Sequence, residues 1–210
     1  AFSLCVPAMA ASESMANFQK TATYNNQFSD VSASYWATPS IKLCYEYGFM
    51  NGTTPKQFSP TGALTVAEAI VMADRLHEIY TTGQSTLTNG EPWYQTYVDY
   101  ALENGIVQAG DFTSYTAKAT RGQMAYLFSR ALPASVLPSI NNVQTLPDVT
   151  SSTKYSQEIF SLYNAGVLTG SDVFGTFKPN DNIIRAEAAA ILTRVALPTQ
   201  RKTVVLMKQV

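Results

Sequence analysis

The sequence predicts an all-α protein made of three tandem helix–loop–helix copies, packed as a pseudo-threefold bundle. Three observations predict it: a residue pattern recurs three times, each copy ends in apolar residues at helical spacing, and a glycine follows each shorter helical stretch.

The first copy, residues 28–80, runs from Phe28-Ser29-Asp30-Val31 through Trp36 and Ile41 to Gly48, then Asn51-Gly52, Phe58-Ser59-Pro60 and Leu64-Thr65-Val66-Ala67-Glu68. The third, residues 146–197, repeats it as Leu146-Pro147-Asp148-Val149, Ile159, Gly166, Thr169-Gly170, Phe177-Lys178-Pro179 and Ile184-Arg185-Ala186-Glu187. Asp30 and Asp148 each stand 18 positions before their glycine. The second copy, residues 86–133, is more worn: Trp93 stands 12 before Gly105, as Trp36 does before Gly48, but no Asp-Val opens it.

Each element follows from local chemistry. Shorter helices are predicted near residues 38–47, 93–104 and 154–165, stopped by Gly48, Gly105 and Gly166, because glycine readily takes the left-handed conformation just past a helix end. Phe58 and Phe177, each close to a proline, are expected to plug the gap between helices. Thr65 with Glu68, and Thr120 with Gln123, are capping boxes that start the longer helices. Ile184 cannot cap, so the third long helix is expected to start at Asp181 or Asn182. An Arg seven residues after the acid or amide, Arg75, Arg130 or Arg194, is read as a structural pairing group. One such unit cannot bury its apolar stripes alone, so three must pack together. Residues 11–27 form an N-terminal segment, and 198–210 a strand-like tail.

Composition excludes several function classes. The formal net charge of -1 offers no footprint for nucleic acid, and no apolar run is long enough to span a membrane. Charged residues make up only 14% of the chain, so its surface relies on Ser, Thr, Asn, Gln and Tyr. Residues 1–10, AFSLCVPAMA, read as the remnant of an export signal with the small-residue site Ala8-Met9-Ala10. Loss of Cys5 with that segment leaves Cys44 without a partner and excludes a disulfide framework. The single histidine, His77, lies on a helix without a nucleophile motif, and no metal-ligand spacing accompanies it. No catalytic residue, metal or cofactor is predicted.

The order Asp-Val, aromatic, Gly, Phe-x-Pro, Thr-Arg-Ala-Glu resembles the S-layer-homology (SLH) family, with a complete set of three motifs over about residues 28–197. The resemblance implies a secreted, cell-surface module that holds a secondary cell-wall polysaccharide, often pyruvylated, in grooves between motifs. Peptidoglycan as the polymer, or a protein-interaction surface that self-associates in a lattice, are the alternatives. A pyruvate ketal carries a carboxylate, and Arg121 and Arg185 match the family's arginine at a helix start, where free N–H groups and a dipole favour an anion. On this reading the two arginines are exposed ligand contacts. Trp36 and Trp93 match the aromatic that stacks on a sugar, and Asp30 and Asp148 match a hydroxyl acceptor. Val66 replaces the arginine in copy one, and Lys154-Tyr155 the tryptophan in copy three, leaving two competent grooves.

Overall fold

The computed structural model describes residues 13–207. The signal remnant expected at residues 1–10 lies outside them.

Among the described residues there are six α-helices and no strand: α1 Thr38–Glu46, α2 Val66–Thr82, α3 Gln95–Glu103, α4 Arg121–Arg130, α5 Ser156–Asn164 and α6 Arg185–Ala196. These are the three short–long pairs the sequence predicts. Gly48, Gly105 and Gly166 sit at φ 73°, 67° and 73°, the left-handed region that ends each short helix. Both capping boxes form. Thr65 Oγ1 accepts from Glu68 N at 3.2 Å while Glu68 Oε2 accepts from Thr65 N at 2.7 Å; Thr120 and Gln123 do the same at 3.1 and 2.8 Å. The expected start of α6 needs correction. It begins at Arg185 with Ile184 in the cap position, because Glu187 Oε2 takes the Ile184 N–H at 3.1 Å and supplies half a box without a hydroxyl.

The pairs are interleaved. Each short helix packs on the long helix of the preceding pair: α3 on α2, α5 on α4 and, closing the circuit, α1 on α6. No pair buries its own stripes, which is the physical reason the three must come together.

Closure is finished by the backbone. Just before each long helix, Leu64 N donates to Ile183 O (3.0 Å), Ile183 N to Ala119 O (3.0 Å) and Ala119 N to Leu64 O (2.8 Å), a ring of three hydrogen bonds at the centre of the bundle. All three residues are fully buried. The next two N–H groups of each long helix, unsatisfied in an isolated helix, donate to another pair's loop: Val66 and Ala67 to Ala117 O and Tyr115 O, Arg121 and Gly122 to Asp181 O and Pro179 O, Arg185 and Ala186 to Gly62 O and Pro60 O. Phe58 and Phe177 fill the space beneath these junctions, buried as expected.

The termini brace the flanks. Ser14 N donates to Tyr80 O at 3.0 Å and Thr21 N to Glu46 O at 2.7 Å, fixing the N-terminal segment on the first pair. Residues 201–207 are extended without forming a strand, and cross the third pair with Lys202 N bonded to Gly166 O at 2.8 Å.

Candidate functional site

Interleaving leaves three seams, each built from all three pairs. At the first, which we call groove A, Trp36 at the start of α1 faces Arg121 at the start of α4, and residues 168–171 with Glu187, Ala190 and Arg194 complete the wall around about 120 Å³. At the second, groove B, Trp93 faces Arg185, and residues 50–52 with Glu68, Val71 and Arg75 enclose about 260 Å³. The two match position for position across the repeat. Each sets two arginines against one glutamate, so each carries an excess positive charge.

Both tryptophans are exposed, Trp36 at 58% and Trp93 at 40%. Core rings are buried, so these two are held out at the groove mouths, where an indole face can meet a sugar ring.

The arginines differ from expectation. Arg121 is 9% and Arg185 8% exposed, so neither is a surface contact. Arg121 Nε donates to Phe177 O (2.7 Å), its Nη1 to Glu187 Oε1 (2.6 Å), and its guanidinium lies 5.1 Å from the Phe177 ring centroid. Arg185 Nε donates to Phe58 O (2.8 Å), its Nη2 to Asn51 O (2.7 Å), and it stacks 4.7 Å from the Phe58 centroid. Each arginine therefore clamps a neighbouring pair's loop and shows only part of its fork to the groove. Burial lowers the affinity of Arg185 for its proton and Glu68 partly restores it. The first two N–H groups of each long helix, expected to be free, donate to neighbouring loop carbonyls instead.

Asp30 and Asp148 are not brought into either groove wall. Asp30 accepts from Phe58 N (2.9 Å) and Ser59 N (2.7 Å), and Asp148 from Phe177 N (2.9 Å) and Lys178 N (2.6 Å). Ser59 and Lys178 have φ 58° and 60°, a strained turn for non-glycine residues. The carboxylates hold that turn, which in turn sets the carbonyl that Arg185 or Arg121 binds.

Sequence reasoning missed part of the site. Arg75, Arg130 and Arg194 each donate to a carbonyl just past their pair's short helix: Phe49 O at 3.3 Å, Ile106 O at 3.0 Å and Val167 O at 3.1 Å. Two of them, Arg75 and Arg194, also line the grooves. Their regular spacing was the signal that could have found them.

The third seam is furnished differently. Tyr126 stands where groove A has Ala190 and groove B has Val71, and it stacks on Tyr155 with centroids 4.9 Å apart. Val66, at the arginine position, is buried.

Among the other reactive groups, Cys44 is buried and burial pushes its thiol up, away from nucleophile chemistry. His77 Nδ1 pairs with Tyr100 Oη at 2.7 Å.

Residues 27–70 and 145–189 match the S-layer homology domain.

The matched segments cover the first and third pairs up to the start of their long helices; the second pair lies between them. Over 189 residues the chain is 28% identical to an endoglucanase of Bacillus sp. (strain KSM-635), covering 85% of the chain and 19% of that protein. It is 24% identical over 179 residues to the surface-layer 125 kDa protein of Lysinibacillus sphaericus, 79% of the chain and 15% of that protein. An amylopullulanase of Thermoanaerobacterium thermosulfurigenes is 27% identical over 177 residues, with 80% and 9% covered. The chain thus spans a fifth or less of the relatives it matches here. Proteins named as an endoglucanase, an amylopullulanase and a surface-layer protein thus share this stretch.

Proposed function

We propose that the chain is a non-catalytic module that holds an exported protein on the cell wall by binding an anionic, pyruvylated wall polysaccharide in grooves A and B. The observation that carries this reading is the paired construction of the two grooves: an exposed tryptophan, a clamped arginine, a second arginine and one glutamate recur at both seams. Arg121 Nη2 and Arg185 Nη1 have no protein partner among the described residues, which leaves each groove a donor for a ligand carboxylate. The indole supplies the stacking face and the second arginine the remaining charge. The middle pair is a diverged copy of the same motif, and its seam with the third pair contributes structure rather than binding.

Calorimetry against wall polysaccharide before and after chemical removal of pyruvate tests the reading. Binding is expected to the intact polymer and to be lost from the depyruvylated one. Equal binding to both would remove the anionic sugar from the site. Binding that survives Trp36→Ala together with Trp93→Ala, in a protein that still melts normally, would remove the grooves.

A further inference from the structure

Groove B does not end at Arg75. On the other side of that side chain lies a larger cavity of about 400 Å³, and Asn51 and Arg75 line both spaces. Its remaining wall includes Gln19 and Thr21 of the N-terminal segment, Tyr47 at the end of α1, and Gln84 and Ser85 after α2.

The equivalent places on the other two pairs are not built this way. On the third pair the C-terminal segment fills the space: Lys202 N bonds to Gly166 O at 2.8 Å and Arg201 Nε to Arg194 O at 3.2 Å. A Cβ on Gly166 would meet Lys202 O at 2.7 Å, whereas one on Gly48 would meet nothing nearer than Thr21 Oγ1 at 3.4 Å. On the second pair no described atom lies within 4 Å of a Cβ on Gly105. Among the described residues the first pair has a wall with room behind it at this place, and that wall is firmly held. The Tyr80 carbonyl accepts from Ser14 N at 3.0 Å and Asn17 Nδ2 at 2.7 Å, and Glu46 O accepts from Thr21 N at 2.7 Å.

The chemistry of the lining differs from that of groove B. Amides and hydroxyls dominate, and among the described residues no carboxylate side chain lines it and Arg75 is its one charged lining group. Tyr47 adds a half-buried ring, braced by stacking on Phe49 at 5.7 Å. Mixed donors and acceptors around an aromatic face suit the hydroxyls and apolar face of an uncharged sugar. Arg75 has one hydrogen bond among the described residues, at 3.3 Å, while Arg130 has two. The side chain lines both spaces.

We infer that this cavity is a second subsite of groove B, which takes the uncharged sugar next in the polymer to the anionic unit held between Trp93 and Arg185. The inference rests on the polysaccharide reading of the grooves. It makes the two grooves unequal: A reads an anionic unit, B reads an anionic unit and its neighbour.

The test uses full-length protein carrying Trp36→Ala, which leaves groove B to be read alone, and calorimetry against size-fractionated fragments of pyruvylated wall polysaccharide. A fragment of two or three sugars is expected to bind about tenfold tighter than the pyruvylated monosaccharide. Ser85→Trp, which fills the cavity from its exposed rim, brings that ratio to about one, and Gln19→Trp, from the opposite wall, does the same. In the reciprocal Trp93→Ala background, with groove A alone, the ratio is about one from the start. Equal affinities for long and short fragments in the Trp36→Ala protein would overturn the subsite while leaving the anchoring reading intact. So would a length gain that survives both tryptophan insertions in proteins of unchanged melting temperature. Failure of every fragment to bind would instead sink the polysaccharide reading, and the subsite with it.

Discussion

Replacement of Arg185 by alanine tests whether the groove arginines are ligand contacts alone or also clamps. In the structure Arg185 is 8% exposed, donates to Phe58 O at 2.8 Å and Asn51 O at 2.7 Å, and covers the buried Phe58 ring at 4.7 Å. A hydrogen bond from a charged donor contributes about 1.5–3 kcal/mol. Part of that gain is offset by the cost of keeping a guanidinium away from water, and the space left over Phe58 adds to the loss. The expected net destabilisation is about 3 kcal/mol, at the upper end of ordinary single substitutions. For a protein of this size each kcal/mol moves the melting temperature by about 2–4 °C, so Arg185→Ala should lower it by about 6–12 °C. Thermal unfolding followed by far-UV circular dichroism measures this. Arg185→Lys, which keeps the charge but cannot reach both carbonyls as a fork, should fall between wild type and alanine. A melting temperature for Arg185→Ala within about 1 °C of wild type would refute the clamp and restore the simpler picture of an exposed contact.

Tyr126→Ala, which removes the ring stacked on Tyr155 and the hydroxyl that donates to Asp111 at 2.5 Å, should cost about 2–4 kcal/mol while wall pull-down well below the melting point stays intact, because the third seam is structural. Gly48→Ala should cost about 1 kcal/mol from its left-handed φ, and Gly166→Ala clearly more, because the new methyl meets Lys202 O at 2.7 Å; chemical denaturation midpoints compare the two. Asp74 is fully buried with neither carboxylate oxygen hydrogen-bonded among the described residues, and burial, reinforced by Glu78, pushes its carboxyl from 3.8 up to about 8. The folded state holds this proton where the unfolded chain releases it, so the group's contribution to stability falls as pH rises from about 4 to about 8. Asp74→Asn should remove that slope, which shows as a smaller difference between melting temperatures at about pH 5 and pH 8 than in wild type.

What could be read from the sequence is what is decided within a few residues. The two capping boxes span three positions, the glycine stops follow their own helices, and the tryptophans stand at a fixed distance from those glycines, so the helices and the groove mouths were all legible. Burial of the arginines was not, because their partners are remote: Arg121 binds residues 56 and 66 positions away, and Arg185 one 127 positions away. The same holds for the interleaving of the helices, which no periodicity within one copy encodes. The Ile184 cap was misjudged because an acid three residues on can supply the second half of a box when the first half is missing. Asp30 and Asp148 were recognised as special residues, but their partners are loop N–H groups 28–30 positions later, which a one-dimensional pattern does not reveal.

The backbone circuit through Leu64, Ala119 and Ile183 also limits valency. An open stack of repeats can gain or lose a unit at either end, and with it a binding face. A closed circuit has no end to extend, so the number of seams is set at three and only their furnishing can evolve. With one seam given over to packed tyrosines, two clefts remain in each molecule. On the proposed function, attachment to a polymer that carries many charged units would come from avidity across those clefts rather than from a deep individual site.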